Sequence, residues 1–166
     1  MFKRLFTTRN LVLSAILAAL YAALTLLLAP ISYGEIQCRV SEAMTMLPVL
    51  LPQAIPGLAV GCLIANLIGS ATPWDVIFGT LATLIAAILT YRTRNVLTPK
   101  AKLPLLSALW PILLNALIVG AVLSLTLNLP FFAIALSVGI GEAVAVALGV
   151  LLVKALERVN LSGWKL

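Results

Sequence analysis

The sequence predicts an all-α, polytopic integral membrane protein: a single domain over residues 1–166, with six transmembrane helices and both termini cytoplasmic. Three observations carry that reading. The chain is 63% hydrophobic and only 10% charged, against about 25% charged residues in soluble domains, and its mean hydropathy is +1.17. Four apolar runs, at 11–29, 76–91, 103–127 and 131–155, have or come within a residue of the length that crosses a bilayer, roughly 17–25 residues. The basic residues then fall on one side if the spans number six.

The first span, 11–29, comes after Lys3, Arg4 and Arg9. No small-residue cleavage site separates it from the next segment, so it is expected to remain as a helix and not to be removed as a signal. It carries two adjacent rows of small residues, Ser14/Ala18/Ala22 and Ala15/Ala19/Ala23. At 100° per residue these cover about half the helix circumference. Such a face lets another helix approach closely, either within the bundle or on a separate membrane subunit.

Residues 42–70 would make a single helix of about 28 residues, beyond the usual length of about 17–25. Pro52, Pro56 and Gly57 lie at its centre and disfavour helix there. Two spans, approximately 37–52 and 55–70, joined by a tight turn at 52–57, fit better. The ten residues from Ala43 to Pro52 reach only about 15 Å at the α-helical rise, half the hydrocarbon thickness. The second span must therefore begin near Gln37, which draws Gln37, Arg39 and Glu42 into the outer half of the membrane. Arg39 and Glu42 are three apart and are expected to pair on one helical face.

The fourth span opens at Trp74-Asp75, where Trp74 suits an interfacial belt and Asp75 suits a helix cap or a polar site. Asn66 near the outer end of the third span and Asn115 near the middle of the fifth either bridge helices or line a cavity. Glu142 lies in the middle of the sixth span, 131–156. A carboxylate there costs roughly 2.5–3.5 kcal/mol on insertion scales, so it has to meet something polar inside the protein.

Six spans place ten of the eleven basic residues on the cytoplasmic side: Lys3, Arg4, Arg9, Arg92, Arg94, Lys100, Lys102, Lys154, Arg158 and Lys165. Five would put the central basic loop outside, against the positive-inside rule. The net charge of +6 thus reflects orientation and lipid headgroups, not nucleic acid. Of the acids, only Glu157 is cytoplasmic; Glu35, Glu42, Asp75 and Glu142 gather in the outer half. With no histidine and two isolated cysteines, Cys38 and Cys62, no metal site, disulfide or enzyme is expected. The chain has no phosphate-binding loop for ATP and no expected cofactor.

Several blocks resemble the QueT family: Ser32-Tyr33-Gly34-Glu35-Ile36-Gln37-Cys38-Arg39-Val40-Ser41-Glu42-Ala43, then GCLIAN at 61–66, DVIFGTLATL at 75–84, NALIVG at 115–120 and IGEA at 140–143. They lie in order across nearly the whole chain. The resemblance implies the substrate-binding S component of an energy-coupling-factor importer, working with a transmembrane T subunit and two ATPase subunits in a prokaryotic cell membrane. The implied solute is a queuosine precursor, a 7-deazaguanine such as 7-aminomethyl-7-deazaguanine or queuine. It further implies that the alanine face of the first helix (Ala15, Ala19, Ala23, with Ala18 and Ala22) docks on the T subunit. Cys38 departs from the pattern, standing where an aromatic residue is expected.

The residues support a compatible chemistry. A deazaguanine offers two donors on its amidine edge, which one carboxylate accepts together, and a carbonyl that an Asn or Gln answers. An aminomethyl group adds a cation and calls for a second carboxylate. The candidate binding residues are Glu142, Arg39, Glu42, Asn66, Asn115, Gln37, Asp75 and Glu35, with Tyr33 and Trp74 to close over the base. Two other readings fit the composition: an S component for a different vitamin or nucleobase, and a non-transporting scaffold subunit.

Overall fold

A computed structural model describes residues 7–33, 38–69, 72–95 and 105–158. Glu35 and Gln37 lie outside the described residues, as do Lys3, Arg4, Lys100, Lys102 and Lys165. Every described regular element is helical: α1 (Thr8–Leu27), the one-turn α2 (Ala29–Ser32), a 3₁₀ helix (Val40–Val49), α3 (Ala54–Gly69), α4 (Pro73–Thr93), α5 (Leu105–Leu114), a π turn (Asn115–Val119), α6 (Gly120–Leu127) and α7 (Phe131–Glu157). Among the described residues, four stretches are long and apolar enough to cross a membrane: Thr8–Leu27, Pro73–Thr93, Leu105–Leu127 and Phe131–Glu157. This is a multi-pass membrane protein. Its large exposed side chains, such as Leu67, Phe132 and Leu136, are what a lipid-facing surface requires.

Small residues set the contact between α1 and α3. A Cβ on Gly57 would lie 2.6 Å from the Ser14 carbonyl oxygen, and one on Gly61 would lie 2.7 Å from that of Ala18. Backbones pack here with nothing between them, as small residues allow in membranes. The pairing Ser14–Gly57 and Ala18–Gly61 also shows that α1 and α3 run in the same direction. Ser14, Ala18 and Ala22 are thus committed inside the chain, which corrects the expectation that Ala18 and Ala22 dock a partner. Ala15, Ala19 and Ala23 form the exposed row beside them.

The chain returns between α1 and α3 through the 3₁₀ helix. Its N-terminal neighbour Arg39 is extended, with φ −86° and ψ 99°. At about 2.0 Å per residue, ten residues of 3₁₀ helix reach about 20 Å, where an α-helix reaches about 15 Å. Overwinding therefore makes good part of the length shortfall evident in the sequence. Residues 41, 42 and 44–48 of this helix are buried, so it runs through the middle of the bundle. The tight turn falls at 50–53, earlier than expected. Pro56 and Gly57 belong instead to the first turn of α3, where a missing N–H is tolerated. Ser14 and Asn10 fasten this turn to α1: Ser14 Oγ donates to the Gln53 carbonyl (2.8 Å) and Gln53 Nε2 donates to Asn10 Oδ1 (3.2 Å).

On the other side, α5 contains Pro111, which cannot bond back to the Ser107 carbonyl four residues earlier. That carbonyl accepts from Thr90 Oγ1 of α4 at 3.1 Å. The π turn comes immediately after α5. Asn128 ends α6 in the left-handed conformation (φ 53°), which asparagine tolerates, and turns the chain into α7. Contacts of Gly120 with Ala135 and of Gly139 with Ala116 make the π turn and α6 antiparallel to α7. Gly139, with 3.5 Å of clearance, leaves ordinary room; the tight approaches are at Gly120 and Gly149.

Candidate functional site

The interior polar residues converge on one region. Arg39 (just before the 3₁₀ helix), Glu42 (in its first turn), Asn115 and Val119 (the π turn), and Val138 and Glu142 (α7) enclose a cavity of about 10 Å³. That is room for no more than one water molecule. Two of the contributing elements are not α-helical, and π turns in particular are frequent at functional sites.

Glu142 is 4% exposed and faces the interior, not lipid. Asn115 Nδ2 donates to its Oε1 at 3.0 Å. Glu42, 1% exposed, accepts two hydroxyls on its Oε1, from Tyr21 of α1 and from Thr83 of α4, the latter at 3.2 Å. Its Oε2 is buried with no hydrogen-bond partner.

Arg39 does not pair with Glu42 as their spacing suggested, because it precedes the helix and shares no helical face with it. Its Nη2 reaches Asp75 Oδ2 of α4 at 3.4 Å, and its guanidinium lies 5.0 Å over the ring of Tyr33. This ion pair is long and single, and Arg39 Nε and Asp75 Oδ1 are both buried without partners. Asp75 does not cap α4 with its side chain. Thr72 does so, accepting from the Asp75 N–H at 3.4 Å. Two carboxylates and one guanidinium therefore line this small space; Asp75, which does not line it, pairs with Arg39, and three hydrogen-bonding atoms among these groups are unused. Buried groups of this kind cost free energy unless something satisfies them.

Asn66 is fully buried but stands one layer back, with Nδ2 3.4 Å from the Asp75 carbonyl and from Cys62 Sγ, so it ties α3 to α4 beneath the ion pair. Tyr33 donates to the Ala65 carbonyl at 2.8 Å, and burial pushes its phenol above the usual range while the charge of Arg39 opposes that shift. Trp74 lies elsewhere. It is 60% exposed and stacks on Phe78 with centroids 6.1 Å apart, on the outside of the bundle. There a larger groove of about 650 Å³ opens between α4 and α6, lined by Pro73, Val122 and Leu125 among others. Its lining is almost wholly apolar, so volume alone does not make it the place where polar chemistry occurs. Cys38 Sγ is 3.5 Å from the Gly141 carbonyl, and both cysteines are free thiols.

Sequence reasoning missed Tyr21 and Thr83, the two hydroxyls that hold Glu42. The available signal was their position: each is a hydrogen-bonding side chain well inside an apolar span, away from the ends where a belt residue belongs. Among the described residues, no three His, Cys, Asp or Glu side chains gather as a metal site.

The QueT transporter family matches residues 11–158 of the chain. Over 80 residues the chain is 44% identical to the protein named Queuosine precursor transporter QueT from Lactococcus lactis subsp. cremoris (strain MG1363), an alignment covering 47% of this chain. The match likewise spans 47% of that relative, about half its length. No solved structure matches.

Proposed function

Because this chain belongs to the QueT transporter family, we propose that it is the substrate-binding S component of an energy-coupling-factor importer and takes up a queuosine precursor. One observation carries the proposal: three carboxylates and a single guanidinium lie buried together inside an apolar bundle, with Arg39 Nε, Glu42 Oε2 and Asp75 Oδ1 unpartnered. A polar guest with several N–H donors and an excess of positive charge suits that arrangement. A 7-deazaguanine bearing an aminomethyl group has both properties. The name of the Lactococcus relative supports the same solute class.

In this reading Glu142, held by Asn115, accepts donors from the base or the cation, and Glu42 and Asp75 offer further acceptors. Arg39 answers the ring carbonyl through its free N–H. Gln37 and Glu35, from the segment just before Arg39, remain candidates on the outer side. A bicyclic base exceeds the present cavity, so admitting it requires lining side chains such as Arg39, Val119 and Val138 to part.

The six-span topology with cytoplasmic termini, in a prokaryotic plasma membrane, belongs to the same proposal. It draws support from the one-sided basic residues and from the parallel run of α1 and α3, which requires one return crossing between them. ATP hydrolysis is left to two partner ATPases, and the exposed row Ala15, Ala19 and Ala23 is the surface offered to the T subunit.

The test is equilibrium binding of 7-aminomethyl-7-deazaguanine to the purified chain in detergent. Binding is expected, and Glu142→Gln should weaken it by roughly 10- to 100-fold, the range for a lost hydrogen bond to a charged group. Unchanged affinity in that variant would remove Glu142 from the site. No binding by the unsubstituted chain would overturn the proposed solute.

A further inference from the structure

The least expected feature of the cluster is that Glu42 and Arg39 both line the cavity and do not pair. Arginine and carboxylate side chains placed together ordinarily close into a two-bond fork. Here Arg39 keeps a single 3.4 Å contact with Asp75 and an unpartnered Nε, while Glu42 keeps an unpartnered Oε2. What restrains Glu42 is on its other oxygen. Tyr21, fully buried on α1, and Thr83, fully buried on α4, both donate their hydroxyls to Oε1. The two donors come from different helices, α1 and α4. One turn along α1, Thr25 Oγ1 lies 2.8 Å from the Tyr21 carbonyl and 2.6 Å from Ser41 Oγ, which ties α1 to the 3₁₀ helix beside Glu42.

We propose that Tyr21 and Thr83 are positioning residues: their hydroxyls fix Oε1 of Glu42, so that Oε2 stays open to an N–H donor of the guest and does not close onto Arg39. The inference rests on the functional reading above and gives that site a device it did not have. Without the two hydroxyls, Glu42 is free to turn toward Arg39, the cation that lines the same cavity. The chain would then neutralise its own binding group, and a guest would have to break that pair before it could bind. Neither hydroxyl touches the guest; both act through Glu42.

The experiment is a double-mutant cycle on the full chain, titrating 7-aminomethyl-7-deazaguanine into the unsubstituted protein, Tyr21→Phe, Glu42→Gln and the double variant. Tyr21→Phe should bind roughly tenfold more weakly, as expected for loss of a hydrogen bond to a charged group. The double variant should bind no more weakly than Glu42→Gln alone, because Tyr21 has no other route to the guest. A general packing role would instead give effects that multiply, and that outcome overturns the inference. So does Tyr21→Phe binding like the unsubstituted protein. Should Tyr21→Phe not fold, Thr83→Val takes its place in the cycle with the same expected and contrary results. Absence of binding by the unsubstituted chain would refute the functional reading, and this inference with it; normal binding untouched by Tyr21→Phe refutes this inference alone.

Discussion

Replacing Arg39 by methionine should destabilise the protein by about 3–5 kcal/mol, the cost of breaking a buried ion pair by removing one partner. Arg39 is 6% exposed and Asp75 is 4% exposed, so neither recovers its hydration when the other is lost. Within the cluster Arg39 is the cation that faces three carboxylates; its removal leaves Glu42 with the Tyr21 and Thr83 hydroxyls, Glu142 with the Asn115 amide, and the Asp75 carboxylate without its ion-pair partner. The contact with the Tyr33 ring at 5.0 Å disappears as well. Methionine keeps much of the length and the apolar stem, so the loss reports charge more than volume. Denaturant unfolding in micelles, followed by tryptophan fluorescence, measures the difference. The companion Arg39→Met/Asp75→Leu removes both charges, and apolar replacement of a whole buried pair is commonly neutral. It should recover most of the loss. Arg39→Met unfolding within about 0.5 kcal/mol of the unsubstituted chain, or the double variant being as unstable as the single, would refute the reasoning.

The same geometry sets three further outcomes. Asn115→Leu removes the 3.0 Å donor to Glu142 and should weaken binding of 7-aminomethyl-7-deazaguanine roughly 10- to 100-fold by titration calorimetry. Gly149→Ala would drive a methyl group into the Ala43 carbonyl and the Met46 side chain of the 3₁₀ helix; a loss of about 1–3 kcal/mol is expected in a thermal melt. Leucine at Ala15, Ala19 and Ala23 together should reduce cellular uptake to background while leaving solute binding intact, whereas leucine at the buried Ala18 and Ala22 should impair folding and binding alike.

The long helices were legible because an apolar run of bilayer length has few alternatives, and α1, α4 and α7 fall close to their expected bounds. The break between the 3₁₀ helix and α3 was legible from Pro52. The 3₁₀ winding was not, since ten residues are too few to separate a period of 3.0 from one of 3.6. The π turn left no signal that its sequence, Asn115–Val119, displays on its own. Glu142 stood out because a lone carboxylate in an apolar stretch needs a polar neighbour. Its neighbours did not stand out, because pairing is a tertiary matter: Arg39 looked matched to Glu42 by spacing yet reaches Asp75, 36 positions away. Trp74 could be read as belt or lid from sequence, and its side chain lies on the outer surface. Thr83 was easy to pass over, since a lone threonine hydroxyl in a span usually bonds the carbonyl four residues back on its own helix; Tyr21 has no such local partner, and only its position in the middle of a span marked it.

That this buried cluster of acids exists to receive a polar base is tested most directly by mass spectrometry of the small molecules that stay with the protein when it is purified from cells supplied with queuosine precursors. A 7-deazaguanine is expected in stoichiometric amount on the unsubstituted chain and should be lost from Glu142→Gln. Recovery of the unsubstituted chain with no such base, or of the variant with the same base still bound, would contradict that role for the cluster.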